Sequence, residues 1–196
     1  MVRTAGSKFL LYAAIVLPLA AAVVAGVLVY LQRQPPTVIL LVRHAERNDA
    51  PPAPGECPPP GLGLQNSTGT SITDAGRERA AQLAHVAAEA GVSAIYVSEV
   101  CRTQTTVKPL ADRTGAAVVQ MNAADVQGLV NHIRANQRGR TVLVASHSNR
   151  APEIIAALGA SPVPVVADTD YDNLWVITVP RWGSPRLVLL KYGRET

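Results

Sequence analysis

The sequence predicts an α/β domain with a mainly parallel central sheet, preceded by one transmembrane helix. Two observations predict this arrangement. Short runs of β-branched and aliphatic residues alternate with longer amphipathic segments, a pattern typical of parallel sheets covered by helices. Before them, residues 9–31 contain no charged residue. A chain of 196 residues therefore accommodates one domain of ordinary size and one appendage.

The uncharged N-terminal segment is long enough to cross a bilayer. At about 1.5 Å rise per residue, a helix over residues 9–31 spans a hydrocarbon core of roughly 30 Å. This length favours an uncleaved anchor over residues 1–34. Small residues at Ala20, Ala22 and Ala25 leave a cleaved secretory signal open as the alternative.

Basic residues on the two sides of this segment predict its orientation. Arg3 and Lys8 favour a cytoplasmic N-terminus, whereas Arg33 alone is immediately adjacent on the other side. We therefore expect a single-pass membrane protein whose domain, residues 35–196, lies outside the cytoplasm, in the periplasm or the extracellular space.

The charge of the domain does not indicate a nucleic-acid partner. The whole chain has a formal charge of +4, but the domain alone has 15 basic and 14 acidic residues. This near balance lacks the electrostatic surplus with which proteins bind nucleic acids.

The first half of the domain begins with a strand and a long loop. Residues 37–42 form an unbroken apolar run, which predicts a strand buried on both faces. Residues 48–71 are rich in Pro and Gly and predict an irregular loop, either a functional lid or a solvated insertion. A helix is expected from Thr73, with Asp74 in its first turn, to a stop at Gly91.

The remaining elements continue the alternation of strands and helices. Helices are expected at residues 102–113, 123–136 and 152–158, the last closed by Gly159. Strands are expected at 94–97, 117–120, 141–145, 174–179 and 187–190.

Three predicted strands end in polar residues that suit an anion. Arg43 and His44 end the first strand, a segment from Ser98 to Arg102 follows the second, and His147 follows the strand at 141–145. Because ligands bind at the carboxyl ends of strands in open α/β sheets, we expect two histidines and two arginines to meet there.

This set of residues predicts phosphoryl chemistry. Guanidinium groups bind phosphate oxygens in bidentate fashion and supply positive charge without a metal. A neutral His44 has one lone pair with which to attack phosphorus, provided that its other nitrogen donates to a backbone carbonyl. His147, Arg43 and Arg102 would then stabilise the transferring group.

Four segments in order carry a family resemblance. They are Val42-Arg43-His44-Ala45-Glu46, Ile72-Thr73-Asp74-Ala75-Gly76, the stretch from Tyr96-Val97-Ser98 through Arg102-Thr103-Gln104-Thr105, and Val144-Ala145-Ser146-His147-Ser148-Asn149. Together they resemble the motifs of the histidine phosphatase superfamily, which includes phosphoglycerate mutases, and the resemblance spans residues 37–191.

The resemblance implies a fold and a site. The fold would be the three-layer sandwich of the phosphoglycerate mutases. Arg43, His44, Arg102 and His147 would form the phosphate pocket, with His44 as the phosphorylated residue. Ala45 and Ser146 stand where the family commonly has Gly, and both are small enough for close approach of the backbone to phosphate.

The proton donor is the main departure from the family pattern. Larger members supply a Glu between the second Arg motif and the second His, but residues 103–152 contain no Glu. The two carboxylates in this interval are Asp112, within a predicted helix, and Asp125. Asp125 is the candidate donor if burial raises its pKa, and a helix-start residue otherwise.

Several weaker candidates complete the predicted site. Glu46 and Asn149, with Arg47, border the pocket as candidate substrate contacts, and Glu46 and Arg47 are equally well explained as solvated loop charges. Asp168, Asp170 and Asp172 form either an oxygen-rich cation site or, as we favour, a polar turn. His85 and His132 are expected to be surface or packing residues of helices rather than ligands. Cys57 and Cys101 are either free thiols or a disulfide that fastens the long loop over the site.

The predicted function is a phosphatase that hydrolyses phosphate monoesters without metal or other cofactor. Its substrate would be a small-molecule or lipid-linked phosphate ester, and its other partner the membrane. Two alternatives stay open: a phosphohistidine protein phosphatase, which requires inverted topology, and a phosphate- or phospholipid-binding module without turnover.

Overall fold

The computed structural model of the chain describes residues 5–32 and 34–196, and of residues 5–13 and 32 only the backbone. It divides the chain into two compact units, Met1–Pro35 and Pro36–Thr196. Arg3 and Arg33, and the side chain of Lys8, on which the orientation prediction depends, lie outside the described part.

The first unit contains one helix, α1 (Ala5–Gln32), with Pro18 inside it. Its segment Ala14–Leu31 is long and apolar enough to cross a membrane, judged by length and composition alone.

The second unit alternates strands and helices. Its elements are β1 (Thr37–Arg43), α2 (Asp74–Ala87), β2 (Val92–Val97), α3 (Cys101–Thr114), β3 (Ala117–Gln120), α4 (Val126–Asn136), β4 (Thr141–Ser146), α5 (Arg150–Leu158), β5 (Asn173–Val179) and β6 (Arg186–Lys191).

All six strands join one sheet in the order β3-β2-β4-β1-β5-β6. The pairs β3–β2, β2–β4 and β4–β1 are parallel, whereas β5 pairs antiparallel with β1 and β6 antiparallel with β5. The prediction of a mainly parallel sheet is thus confirmed. The antiparallel pairing of β6 with β5 follows from the short turn that joins them.

Alternate residues of the central strands face two separate cores. Ile39 and Leu41 of β1 pack under α4 and α5, while Leu40 and Val42 pack under α2 and α3. Two helical layers therefore cover the two faces of the sheet, which confirms the predicted three-layer sandwich. Burial on both faces explains why β1 is an unbroken apolar run.

All four helices of the domain begin one to three residues from the predicted starts, and at two of them a capping residue explains the difference. Thr73 is not the first helical residue of α2 but its N-cap, and its Oγ1 accepts a hydrogen bond from Gly76 N at 3.1 Å. Helix α4 begins at Val126 instead of residue 123 because Asp125 is its N-cap and accepts from Gly128 N at 2.8 Å. Capping residues have non-helical backbone, which moves each helix start beyond them.

Candidate active site

The carboxyl ends of β1, β2 and β4 bring the predicted polar residues together. Arg43 is the last residue of β1, and the backbone N of His44 donates to Ser146 O, at the end of β4, over 2.9 Å. The rings of His44 and His147 lie 5.4 Å apart between centroids. Arg102, in the first turn of α3, reaches the same place: its Nη2 lies 3.4 Å from His147 Nδ1.

The His44 ring is held in one tautomer. Its Nδ1 lies 2.8 Å from Ala45 O, and because a carbonyl oxygen only accepts, Nδ1 carries the proton. The lone pair is therefore on Nε2. Burial lowers the pKa of His44 to about 3, and the nearby positive charges of Arg102 and Arg43 act in the same direction. His44 is thus a neutral imidazole throughout the ordinary pH range.

His147 has the opposite tautomer. Arg102 Nη2 only donates, so His147 Nδ1 accepts, and Nε2 carries the proton that it donates to Ser98 Oγ over 3.0 Å. Burial and the Arg102 charge lower the pKa of His147 to about 4, and the negative charge of Glu99 partly offsets them. His147 Nδ1 therefore faces the Arg102 guanidinium.

Two arginines give the site its charge. Arg43 Nη1 donates to Ala167 O over 3.0 Å, and its guanidinium carbon lies 4.1 Å from the centre of the Tyr171 ring. Its one ion pair among the described residues is with the exposed Asp168 at 3.8 Å, and Arg102 has none there. Neither buried Nε has a hydrogen-bond partner within the described part of the chain. These donors suit an anion.

Tyr171 is a site residue that the sequence analysis missed. Its ring stacks on Arg43 and lies 6.0 Å from the His44 ring. The acidic residues on both sides of Tyr171 predicted a polar turn and gave no indication that its ring would pack on Arg43 at the end of β1.

The Ile72-to-Gly76 motif packs against the residues that follow His44. Thr73 N donates to Glu46 O over 2.8 Å. A Cβ on Gly76 would lie 2.8 Å from the same carbonyl oxygen, closer than real Cβ atoms come. Only glycine therefore lets the start of α2 pack against the residues that follow His44.

Glu46 is engaged in a buried ion pair. Arg79, with 2% of its side chain exposed, donates from Nε and Nη2 to the Glu46 carboxylate over 2.8 to 3.1 Å. Arg79 also donates to the carbonyls of Tyr192 and Arg194. Arg79 of α2 therefore joins the Glu46 carboxylate to the C-terminal segment, and a substrate contact by Glu46 stays a prediction.

The other predicted border residues lie on the surface. Asn149 is the exposed N-cap of α5, directly after His147 and Ser148, and its side chain makes no capping bond. Arg47 is 59% exposed and pairs with Asp49 at 3.3 Å.

Asp125 acts as a helix cap rather than as a buried acid. It is exposed, its Oδ1 accepts from Gly128 N, and a Cβ on Gly128 would overlap the carboxylate. Asp125 lines a cleft beside Ser98 and Ser146, but its carboxylate is held against the start of α4. The helix-start interpretation describes it better than the donor interpretation.

Glu99 is a half-buried carboxylate that the sequence analysis overlooked. Its Oε2 accepts from Ala123 N over 2.8 Å, and its charge acts on His147. It follows Ser98 in the third motif, outside residues 103–152, where the family resemblance places the donor. The fold brings the ends of β2 and β3 together, which places Glu99 against the segment where the family acid was expected.

The three aspartates before β5 each have a partner of their own. Asp168 accepts from Ser148 Oγ, Asp170 from Ala167 N, and Asp172 from Lys191 Nζ. Within the described residues no group of three or more His, Cys, Asp or Glu side chains is suited to a metal ion. These contacts fit the polar-turn interpretation.

A disulfide fastens the long loop next to the site. Cys57 is bonded to Cys101, the residue before Arg102, with Cα atoms 5.6 Å apart. Thr68 of the loop also pairs with Val100 through backbone hydrogen bonds, as an isolated β-bridge. A Cβ on Gly69 would lie 3.5 Å from Arg102 Nη1. The loop therefore contacts the Arg102 segment, in accord with the fastened-loop hypothesis.

We expect the disulfide to stabilise the domain by about 2–4 kcal/mol, because it closes a loop of 44 residues in the unfolded chain. Replacing both cysteines by serine should lower the free energy of unfolding by that amount in urea titrations without reductant. Dithiothreitol should reproduce the loss in the wild type and not in the variant. Two reactive thiols in the denatured, unreduced chain would contradict the bridge.

The buried histidines predict a pH-dependent stability. Their pKa values are lower in the folded state than in the unfolded chain, where they are near 6.5, so the unfolded state takes up protons first. The free energy of unfolding should fall as the pH drops from about 7 towards 4, by up to about 1.4 kcal/mol per pH unit for each histidine. Urea titrations at several pH values measure this slope.

The matched control for this slope is an exposed histidine on α2. His44→Asn should flatten the pH dependence, whereas His85→Asn should leave it unchanged, since His85 is exposed. Equal slopes in the wild type and His44→Asn would contradict the lowered pKa.

Comparison with known families agrees with the sequence motifs. The model of the histidine phosphatase superfamily (branch 1) matches residues 39–125. A search of curated protein sequences found no significant match.

Solved structures of phosphatases share the fold. Mycobacterial glucosyl-3-phosphoglycerate phosphatase superposes with a TM-score of 0.58 at 16% identity, covering 81% of this chain and 99% of that one. A protein from Agrobacterium tumefaciens, assigned as the phosphohistidine phosphatase SixA, gives 0.54 at 18% identity, with coverages of 81% and 99%. The resemblance is thereby confirmed: residues 39–125 match the histidine phosphatase superfamily, and the domain has the fold of these phosphatases.

Proposed function

We propose that the domain, residues 35–196, is a metal-independent phosphatase that hydrolyses phosphate monoesters through a phosphohistidine on His44. The observation that carries this proposal is the neutral His44 ring, whose Nδ1 donates to Ala45 O and whose Nε2 is free beside Arg43, Arg102 and His147. A fixed tautomer gives the nucleophile its lone pair without a separate base.

The reaction would proceed in two steps. His44 Nε2 attacks phosphorus, the P–O bond to the leaving group breaks, and an acid protonates the departing oxygen. Water then attacks the phosphohistidine, the P–N bond breaks, and the same group, now a carboxylate, takes the water proton. Arg43, Arg102 and a protonated His147 stabilise the equatorial oxygens in both steps.

The charge of the site supports this scheme. Burial lowers the pKa of Arg102 most, the positive charges of Arg47 and Arg43 lower it further, and no carboxylate among the described residues pairs with Arg102. A phosphate dianion supplies the missing negative charge and raises the affinity of His147 for a proton. The mycobacterial phosphatase with this fold has been solved with inorganic phosphate.

Turnover in the presence of EDTA tests the proposal. The purified full chain in detergent is incubated with p-nitrophenyl phosphate over a pH series, and quenched samples are analysed for phosphohistidine, which is labile to acid and stable to base. We expect EDTA-resistant turnover and a phosphorylated His44. Phosphate binding without turnover at any pH would favour a binding module instead.

We infer that Glu99 is the proton donor in place of Asp125. Glu99→Gln should lower kcat/KM about a hundredfold for an alkyl phosphate, whose leaving group needs protonation, and only a few-fold for p-nitrophenyl phosphate. Steady-state kinetics on both substrates measure this difference. Asp125→Asn is the matched control, and a leaving-group-dependent loss in that variant alone would return the role to Asp125.

We further propose that α1 is an uncleaved single-pass anchor and that the domain is extracytoplasmic. The Cys57–Cys101 disulfide supports an oxidising compartment. A phosphohistidine phosphatase acting on cytoplasmic partners would need the opposite topology. A reporter fused after Thr196 distinguishes the two, since alkaline phosphatase is active only when exported.

A further inference from the structure

The edge of the sheet opposite the site is where the chain enters the domain. Thr37 begins β1, and two segments flank it. The loop before β4 lies on one side, with Val38 N donating to Arg140 O over 3.0 Å. The turn between β5 and β6 lies on the other side, because Thr37 pairs with Val179 at the end of β5. Both segments therefore lie at the amino end of β1.

This edge is basic and carries an exposed tryptophan. We define the basic edge as Arg138, Arg140, Arg181, Trp182 and Arg186, all of them exposed. Within the described residues none of the four arginines forms an ion pair. Trp182 is 65% exposed. Since the domain has nearly equal numbers of acidic and basic residues, the edge reflects a separation of charge.

The side chains of the basic edge suit the headgroup region of a membrane. Tryptophan prefers the headgroup level of membranes, where its ring is partly apolar and its N–H is hydrated. Arginines bind phosphate oxygens, and each arginine near an anionic membrane raises the membrane-bound fraction relative to the free fraction roughly fivefold. Five residue steps separate Gln32 from Thr37, so an extended connection reaches at most about 18 Å.

We propose that the basic edge docks on anionic phospholipid headgroups of the bilayer that α1 crosses. The inference rests on the proposed membrane anchor. Charge, the exposed tryptophan and the short connection select a lipid surface over a protein partner.

Docking has a consequence for the substrate. The 7 residues of β1 separate the basic edge from His44 by about 23 Å, at 3.3 Å per residue. The site then faces water rather than lipid. The substrate is therefore a water-soluble phosphate ester, and not the lipid-linked ester that the sequence left open.

Tryptophan fluorescence tests the docking. The chain has 2 tryptophans, and Trp175 is buried, so Trp182 reports on the edge. The full chain is reconstituted in vesicles of phosphatidylcholine with or without phosphatidylglycerol, with acyl chains brominated near the headgroup. We expect bromine to quench Trp182 in the anionic vesicles. About 0.5 M NaCl should screen the attraction and remove the quenching of Trp182. Trp182→Phe supplies the background from Trp175.

The combined change Arg138→Gln, Arg140→Gln and Arg181→Gln should lower the docked-to-free ratio on the order of a hundredfold, with turnover of p-nitrophenyl phosphate unchanged. Release of the chain by alkaline carbonate would contradict the anchor and the docking with it. Three outcomes would overturn the docking alone. The chain could stay in the vesicles without quenching of Trp182, the quenching could be unchanged by the three substitutions, or crosslinking could show that the edge is covered by a second copy of the chain. Phosphatase activity, measured separately, decides the proposed function.

Discussion

His44→Ala is expected to lower kcat for p-nitrophenyl phosphate by a factor on the order of 10⁵, the largest effect of any single substitution. Without the imidazole there is no group to form the phosphoryl intermediate, and water must attack the ester directly. The arginines still bind phosphate, so KM should change much less than kcat. Steady-state kinetics with EDTA present measure both constants.

The control for this loss is His85→Ala, which removes an exposed imidazole on α2 and should leave kcat unchanged. The variant also loses phosphorylation: base-stable phosphohistidine should accumulate in the wild type during turnover and be absent from His44→Ala. Comparable turnover in the two variants, or phosphohistidine that persists without His44, would rule out His44 as nucleophile.

Arg102→Ala is expected to lower kcat/KM about a thousandfold, because its guanidinium contacts His147 and has no competing carboxylate in the described part of the chain. Arg102→Lys should recover only part of this loss, since an ammonium lacks the planar pair of donors. Kinetics on one substrate with both variants measure the loss and its partial rescue. Arg113→Ala, on an exposed position of the same helix, is the matched control.

The loss in Arg102→Ala should not come from unfolding. Burial and the positive charges of Arg47 and Arg43 lower the pKa of Arg102, which means that the folded state holds this charge at a cost. Removing it should leave the melting temperature unchanged or raise it, as is common for residues selected for activity. A fall in melting temperature that parallels the loss of activity would instead give Arg102 a structural role.

Much of the site was predictable because local patterns indicate where each strand ends along the chain. Arg43, His44 and His147 each follow an apolar run, and parallel strands end at one edge of the sheet. The missing predictions concern contacts distant in sequence. The ion pair of Glu46 with Arg79 joins residues 33 positions apart, and Tyr171 stands among acidic residues that gave no sign of its contact with Arg43.

The proton donor shows the same limit. Sequence order directed the search to residues 103–152, where Asp125 was the better of two carboxylates. The fold instead pairs Glu99 with Ala123 across the ends of β2 and β3. No local pattern encodes that contact, because it depends on which strands become neighbours.

The sequence by itself determined the α/β class, the apolar N-terminal helix, the order of the elements and the four residues at the strand ends. Periodicity and burial are local properties of a chain, so they are readable in its letters. Only the tertiary structure decided the tautomers of His44 and His147, the contacts of Glu46, Glu99 and Asp125, and the gathering of arginines without ion pairs among the described residues at the edge opposite the site. Those features depend on distances between segments far apart in sequence, which the packing of the two cores sets.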